Sequence, residues 1–250
     1  MTPVTLHNLK HLSFQGVSAY LECLVAQIRA PVLERLDIML FNQIAFALPH
    51  LSHLINIAEG LKISTASVFF GRNAVSITLS HFSPGWGDGS FILRVMCKQL
   101  DWQIDCAAQI CSSLMPTLSD VGSLRLALHG EMMPTEWQNG EIDGTTWHEL
   151  LRSFIGMWEL IISESLSQEL SRALQVDDIG SDLGLLPSLQ KLVSEFTREY
   201  ADSLFGSFID ARRVAGRPVL LAPHRPPFGG GGSSPSPQSN TFLPPPHYLL

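Results

Sequence analysis

The sequence predicts an α/β fold in which strand–helix units are stacked side by side, and three observations predict it. A phrase of alternating apolar and polar residues recurs along the chain, at residues 7–14, 31–38 and 187–193, with shorter relatives at 123–128 and 158–162. Segments whose apolar residues have helical spacing lie between these phrases. The distance between neighbouring phrases is also in the range of one strand plus one helix.

The recurring phrases are predicted to be strands. Their apolar residues alternate with polar ones, which is the period of a half-buried strand. Each of several phrases is preceded by a residue that favours a turn: Pro31, Gly122, Gly156 and Pro187. We therefore expect each strand to begin directly after a turn.

The intervening segments are predicted to be amphipathic helices. Two of them open on a capping-box pattern, Thr146 to Glu149 and Ser165 to Gln168, which assigns Glu149 a capping role. Gly216 stands where the last helix should stop. One predicted helix begins near residue 18. The others cover 101–115, 146–155, 165–174 and the segment around 205–209.

The middle of the chain interrupts this pattern. Residues 62–70 and 75–79 are predicted to be two strands joined by a turn at residues 71–73, and residues 91–96 to be a further strand. The pattern predicts a mid-chain β-hairpin insertion.

The spacing of the units is uneven. Leu36 follows Leu12 by 24 positions, and Leu192 follows Leu160 by 32. Leucine-rich repeats use units of roughly 20–29 residues, so the upper spacing exceeds that range. We therefore predict an irregular leucine-rich-repeat-like arc, with the strands on the concave face and the helices outside.

The last residues differ sharply in composition from the rest. Residues 223–250 contain eight of the 16 prolines and a run of four glycines. Such a composition cannot offset the entropy of ordering the chain. The expected organisation is a leucine-rich-repeat-like domain at residues 1–222 and a disordered Pro/Gly/Ser-rich tail at 223–250.

Composition and charge argue against several classes of partner. The chain has 250 residues and a formal net charge of -7, and it contains no basic run, so nucleic acid is not an expected partner. Its four cysteines have no CxxC spacing, which favours buried free thiols in a reducing compartment. No signal peptide and no apolar run of membrane-spanning length is apparent. We expect an intracellular protein, in the cytoplasm or nucleus, without a membrane partner.

The residues that could carry chemistry do not form a catalytic pattern. The glycine-rich run from Gly85 to Gly89 is followed by a strand, whereas a phosphate loop is followed by a helix. His148-Glu149 begins like a zinc-protease helix, but Arg152 stands where the second histidine is needed. We therefore expect no enzyme activity, no cofactor and no metal. The scattered His, Asp and Cys residues leave a cryptic metal-binding hydrolase as an alternative.

Two tryptophans are candidate anchors for a partner. Trp86 and Trp137 fall in polar, loop-like surroundings, where an exposed aromatic side chain can bind another protein. Folding back onto the chain's own domain is the alternative for both of them. Trp147 and Trp158 fall on stripes predicted to face the core.

The tail contains one short motif with a known binding mechanism. Pro245-Pro246-His247-Tyr248 fits the Pro-Pro-x-Tyr pattern of WW-domain ligands. A polyproline II segment is nearly preformed, so it loses little entropy when it binds an aromatic groove. Pro245, Pro246 and Tyr248 are therefore candidate contacts for a WW-domain protein.

Seven short phrases within residues 4–222 are informative in their order along the chain: Phe41-Asn42-Gln43, Leu100-Asp101-Trp102-Gln103, Ala108-Gln109-Ile110-Cys111, Glu136-Trp137, Leu186-Pro187-Ser188-Leu189, Phe208-Ile209-Asp210-Ala211-Arg212 and Gly216-Arg217-Pro218-Val219. Together they resemble the C-terminal repeat region of the F-box/leucine-rich-repeat-like proteins of mushroom-forming fungi. The resemblance implies a ubiquitin-ligase adaptor, in which the F-box binds a cullin–RING ligase and the repeats bind a target protein.

The chain departs from this family where the F-box is expected. It opens directly on a repeat strand at Leu9, where the family has a helical F-box segment. The expected function is therefore the target-binding half of the adaptor, and a cullin–RING ligase is a partner only if an F-box lies upstream. A truncated paralogue without function is an alternative.

Overall fold

A computed structural model of the chain describes residues 3–41, 43, 45–81, 91–98, 100–128, 144–176, 185–195 and 197–223. The strands are β1 (Val4–Thr5), β2 (His11–Gly16), β3 (Ile28–Arg29), β4 (Arg35–Leu40), β5 (Thr65–Phe70), β6 (Ala74–Ser80), β7 (Phe91–Met96), β8 (Ser123–Leu128), β9 (Glu159–Ile162), β10 (Lys191–Ser194) and β11 (Leu220–Pro223).

Helices separate most of these strands, as the spacing predicted. They are α1 (Ser18–Val25), α2 (Pro49–Ile57), α3 (Leu100–Ser113), α4 (Met115–Leu118), α5 (Gly144–Arg152), α6 (Ser167–Val176) and α7 (Arg198–Val214), with a 3-10 turn at Glu164–Leu166 before α6.

The fold is α/β, with a large and mostly parallel sheet. Nine strands pair in the order β11-β10-β9-β8-β5-β6-β7-β4-β2, and β1 and β3 form a separate two-stranded parallel pair. β6 is antiparallel to both of its neighbours, and the other pairings within the large sheet are parallel. In the described part of the chain the sheet is open, with β2 and β11 at its edges.

The predicted hairpin is present and lies within the sheet. β5 and β6 pair from Thr65 with Ser80 to Phe70 with Val75, and β7 pairs with β6 on the other side. β5 also pairs with β8, and β7 with β4. The three strands thus lie inside one continuous sheet in their chain order, but β8, which follows them in the chain, adjoins β5, and β4, which precedes them, adjoins β7.

A turn of one kind precedes most of the parallel strands. Its last residue is apolar and donates its N–H to the carbonyl three residues earlier, as Leu33 does to Ala30 and Met157 does to Phe154. The residues that close this turn are Leu9, Leu33, Leu61, Val121, Met157 and Leu189. In all of these cases except Leu61 the strand begins two residues later.

The junctions between neighbouring units repeat as well. The carbonyl of Gly122, just before β8, accepts hydrogen bonds from the N–H groups of Trp158 and Glu159, at the start of β9. The carbonyl of Trp158 does the same for Gln190 and Lys191, at the start of β10. Equivalent backbone groups therefore join successive units at the same level of the sheet.

The helices share one face of the sheet. Every connection through a helix between parallel strands moves in the same direction along the sheet, from the β2 edge towards the β11 edge. Right-handed crossovers in one direction place all their helices on one face. The burial agrees, because the core contains one alternate set of residues from each strand, such as Leu36, Ile38 and Leu40 of β4, together with the buried helix residues.

The buried thiols are part of this core. Cys97, Cys106 and Cys111 are buried and free, as the spacing of the cysteines predicted, whereas Cys23 is exposed. A hydrogen bond with Cys97, together with burial, raises the pKa of the Cys106 thiol. Burial alone raises the pKa of the Cys111 thiol. Cys106 and Cys111 are therefore protonated at neutral pH and are poor nucleophiles.

Candidate functional site

The sheet face opposite the helices is the candidate functional site, and we call it the open face. Its residues are the alternate members of each strand that lie outside the continuous core. The registers of the strands place them in rows across the sheet. One row is Ser13, Asp37, Ile92, Thr78, Ser67, Arg125 and Ile161; the next is Gln15, Met39, Arg94, Ser76, Phe69 and Ala127.

A charged cluster lies on β2 and β4 at one side of the open face. The Oδ2 atom of Asp37 accepts hydrogen bonds from Arg35 Nε at 2.9 Å and from His11 Nε2 at 3.0 Å. Burial opposes ionisation of Asp37, but the hydrogen bonds and charges of Arg35 and His11 together outweigh it and lower the pKa of this carboxyl. Asp37 is therefore ionised and engaged within its own cluster.

A second charged cluster lies on the opposite side. Glu159 accepts hydrogen bonds from Lys191 Nζ at 2.8 Å and from the Ser123 hydroxyl at 2.8 Å. One row further on, Arg125 forms an ion pair with Glu195. Among the described residues of β8 to β10, both cations of the open face, Arg125 and Lys191, therefore have an acidic partner.

The centre of the open face, between these clusters, has short polar side chains. Thr65 and Ser80 are joined by their hydroxyl groups, 2.8 Å apart. Ser67 and Thr78 face each other in the next row, and Phe69 faces Ser76 beyond them. These side chains are half-buried, so the centre of the open face is partly accessible and not strongly apolar, whereas Ile92 and Ala127 in the same rows are buried.

Arg94 is the exception among the charges of this face. Its side chain is exposed, and no ion pair joins it to the described part of the chain. Ile92 and Met96 flank it on β7, and the residues opposite it on the adjoining strands are Met39 and Ser76. A cation flanked by neutral side chains therefore stands on β7, between the charged cluster of β2 and β4 and the polar centre of the open face.

The described residues do not bring a metal-binding or catalytic group together. No cluster of three or more His, Cys, Asp or Glu residues that could hold a metal ion occurs within the described ranges. His148 is buried, and its Nε2 atom lies 2.6 Å from the Ala173 carbonyl oxygen, which gives it a structural contact between α5 and α6. What the described geometry offers chemically is a broad surface with ordered charges.

All the site residues selected from the sequence lie outside the described residues. These are Trp86, Trp137, Pro245, Pro246 and Tyr248, and the glycine-rich run at 85–89 lies outside them too. Of the two tryptophans predicted to face the core, Trp147 is buried, but Trp158 is 43% exposed, so that prediction was wrong for Trp158. Trp158 immediately precedes β9, where its backbone hydrogen-bonds to Gly122 of the preceding unit and its indole packs against the same glycine.

The residues of the open face were available in the sequence but were not selected from it. They are the polar members of the alternating phrases, such as Asp37 between Leu36 and Ile38. The alternation indicated that they face away from the core. Which of them lie side by side depends on the strand order, and no local pattern reports that order.

Several residues that carry the family resemblance have structural contacts. The Gln43 Oε1 atom accepts hydrogen bonds from the N–H and hydroxyl of Ser18, and so caps the start of α1. Gln103 donates to the carbonyls of Gly71 and Cys97, and Arg212 donates to the carbonyl of Leu189. These three side chains hold turns and helix ends in place.

Within the described ranges, none of the helices is a candidate membrane span. Comparisons of the chain with protein-family models, with curated proteins and with solved structures found no match.

Proposed function

We propose that this chain is a protein-interaction module, built as an irregular leucine-rich-repeat-like arc, which binds a target protein on the open face of its sheet. The observation that carries the proposal is the repeated junction: a turn, a parallel strand and a helix on the same side of the sheet. Repeats of this kind present a broad surface on which a few anchors supply most of the affinity.

Simple geometry supports an arc with the strands inside. Neighbouring strands are about 4.8 Å apart, whereas packed helices are about 8–10 Å apart. When helices cover only one face, their layer is wider than the strand layer beneath it. The sheet then curves away from the helices, and its open face becomes concave.

The local sequence of the junctions also supports the proposal. An apolar residue closes the turn, and apolar residues follow three and five positions later, as in Leu9, Leu12 and Phe14 or in Met157, Leu160 and Ile162. This is the spacing of the leucine-rich-repeat strand motif. The first unit is also in register with the second at two separate strands, since Val4 pairs with Ile28 and Leu12 with Leu36, in each case 24 positions later.

The role that we propose for the arc is target recognition for an F-box-type ubiquitin-ligase adaptor. The phrases that resemble the fungal F-box/leucine-rich-repeat-like proteins support it. Recruitment of the cullin–RING ligase belongs to an F-box segment and not to the arc. In this proposal the open face binds the target protein.

A charge-insertion experiment tests the binding face. Ser67→Arg puts a bulky cation at the centre of the open face, and Ser203→Arg makes the same change on the exposed surface of α7. Proximity labelling in fungal cells, repeated with both variants, should find a protein that the wild type and Ser203→Arg contact and Ser67→Arg loses. That labelled protein, once purified, should bind the wild type and Ser203→Arg but not Ser67→Arg. If Ser67→Arg folds normally and no labelled protein distinguishes it from Ser203→Arg, the open face is not the binding surface.

The adaptor role has a separate test. Affinity purification of the protein as it is expressed in its own cells should recover cullin–RING subunits, equally with the wild type and with Ser67→Arg. Equal recovery is expected because the ligase contact lies outside the open face. If the natural transcript encodes no F-box and no cullin co-purifies, the module binds its target for some other purpose.

A further inference from the structure

Arg94 is singled out by the way the other charges of the open face are arranged. Asp37 is held by His11 and Arg35, Glu159 by Lys191, and Glu195 by Arg125. Asp37 is the acidic residue on the adjoining strand β4, diagonal to Arg94 and one row away, and its carboxylate already has two donors. Arg94 therefore has no acidic partner among the described residues of its own chain.

The surroundings of Arg94 are apolar on three sides. Ile92 precedes it on the same face of β7 and is only 7% exposed, whereas Met96 follows it and is 40% exposed. Met39 lies directly across on β4. Methionine side chains adapt their shape to an apolar partner, and a guanidinium beside such groups is less well solvated than one in open water.

The charge balance of the open face differs from that of the whole chain. The formal net charge of the chain is -7. On the described open face, the cations Arg35, Arg94, Arg125 and Lys191 face only three carboxylates, those of Asp37, Glu159 and Glu195. An acidic partner is repelled by the molecule as a whole and attracted to this face, because the excess positive charge lies at Arg94.

We infer that Arg94 anchors a carboxylate, an Asp or Glu side chain, on an acidic segment of the target protein. Apolar residues next to that carboxylate pack on Met39 and Met96. The planar guanidinium binds a carboxylate through two parallel hydrogen bonds, which gives orientation as well as affinity. This inference rests on the proposed function and names the chemistry of its partner.

Random peptides displayed on phage supply a probe while the target is unidentified. Dodecapeptides are selected on the purified full chain, and the tightest are synthesised and their dissociation constants measured. The inference expects an Asp or Glu in each, beside Leu, Ile, Met or Phe. Arg94→Ala should weaken binding by about tenfold or more, since a hydrogen bond to a charged group contributes on the order of 1.5–3 kcal/mol.

Matched variants make the result specific to Arg94. Arg172→Ala makes the same chemical change on the outer surface of α6, where Arg172 pairs with Glu169, and should leave binding unchanged. Arg94→Lys should bind with intermediate affinity, because it keeps the charge and loses the bidentate geometry. Arg94→Glu should bind a peptide whose acidic residue is replaced by Lys better than it binds the original peptide.

The outcomes separate this inference from the proposed function. Peptides that Ser67→Arg abolishes and Arg94→Ala leaves unaffected would overturn the role of Arg94 and keep the open face as the binding surface. Selected peptides without acidic residues would do the same. If Ser67→Arg weakens none of the peptides, or if the selection yields no binder at all, both the inference and the binding face fail.

Discussion

The two faces of the large sheet are built from alternate residues of the same strands, yet they have opposite properties. On β6, Val75, Ile77 and Leu79 are buried in the core, whereas Ser76 and Thr78 between them are only half-buried. Burial of an aliphatic side chain contributes about 1.5–3 kcal/mol, and a partly exposed serine contributes little. The face that the helices cover, which we call the covered face, therefore supplies most of the folding energy, and side chains of the open face can change at little cost in stability.

The largest expected effect comes from adjacent substitutions on β6. Ile77→Ala removes a fully buried side chain from the centre of the sheet and should lower the free energy of unfolding by about 2–5 kcal/mol. Ser76→Ala, one residue earlier on the open face, should change it by no more than about 0.5 kcal/mol. Urea unfolding followed by circular dichroism measures both. Similar losses for the two variants would show that the open face is covered and not available to a partner.

A glycine in a repeated turn gives the next largest effect. A Cβ atom at Gly156 would lie 2.1 Å from the Ser119 carbonyl oxygen of the preceding unit. The carbonyl belongs to the backbone and the Cβ atom is fixed to it, so neither can rotate out of the way. Gly156→Ala should therefore force the units apart and cost about 1–3 kcal/mol in unfolding free energy.

Gly206→Ala is the control for this substitution. Gly206 lies within α7, and nothing is within 4 Å of a Cβ atom added there. The alanine should stabilise the protein by about 0.5–1 kcal/mol through its helix propensity. If Gly156→Ala is also stabilising, close packing of the turns does not hold the covered face together.

Local patterns in the sequence predicted most of the elements and little of their arrangement. Alternation located β4 and β8, and amphipathic spacing located α3 and α7, because these signals depend only on neighbouring residues. The position of β5 beside β8 depends on pairing between residues far apart in the chain, such as Thr65 and Ser123. Local spacing contains no information about that pairing.

Helix starts show the same limit. Helix α2 has no capping signal of its own in the sequence and was not predicted: it lacks a Ser, Thr, Asp or Asn cap and begins at Pro49 after Leu48. Its cap is Glu22, from another helix. The capping role expected of Glu149 was wrong, because α5 begins at Gly144 and Glu149 lies well inside it. The candidate site has the same limit. The sequence shows Arg94 only as a charged residue within a strand, and the strand order is needed to show which residues lie beside it.

Glu22 provides the third prediction, within the helix layer on the covered face. Its two carboxylate oxygens accept hydrogen bonds from the N–H groups of His50 and Leu51, at 2.8 and 3.0 Å. Glu22→Gln should cost about 1 kcal/mol, because a charged acceptor at a helix N-terminus is lost. Glu149→Gln, at an exposed position inside α5, should have almost no effect. Equal effects on thermal unfolding would contradict the capping role of Glu22.

The smallest effect is expected on the open face, at Asp37. Its pKa is lowered in the folded state, so its ionised form stabilises the protein at pH values above its unfolded pKa, about 3.9. This contribution disappears as the pH falls through the folded pKa. Asp37→Asn should therefore lower the free energy of unfolding by about 1 kcal/mol or less at pH 7, since Arg35 and His11 are about half exposed.

The pH dependence distinguishes the charge of Asp37 from its shape. In urea unfolding at pH 7 and at pH 3, the difference between the wild type and Asp37→Asn should shrink at the lower pH, because both side chains approach neutrality there. In a background of Arg35→Gln, the difference at pH 7 should shrink as well. A difference that stays the same in both tests would mean that Asp37 acts through packing. The open face would then contribute to folding as the covered face does, and its side chains would be less free to vary with a partner.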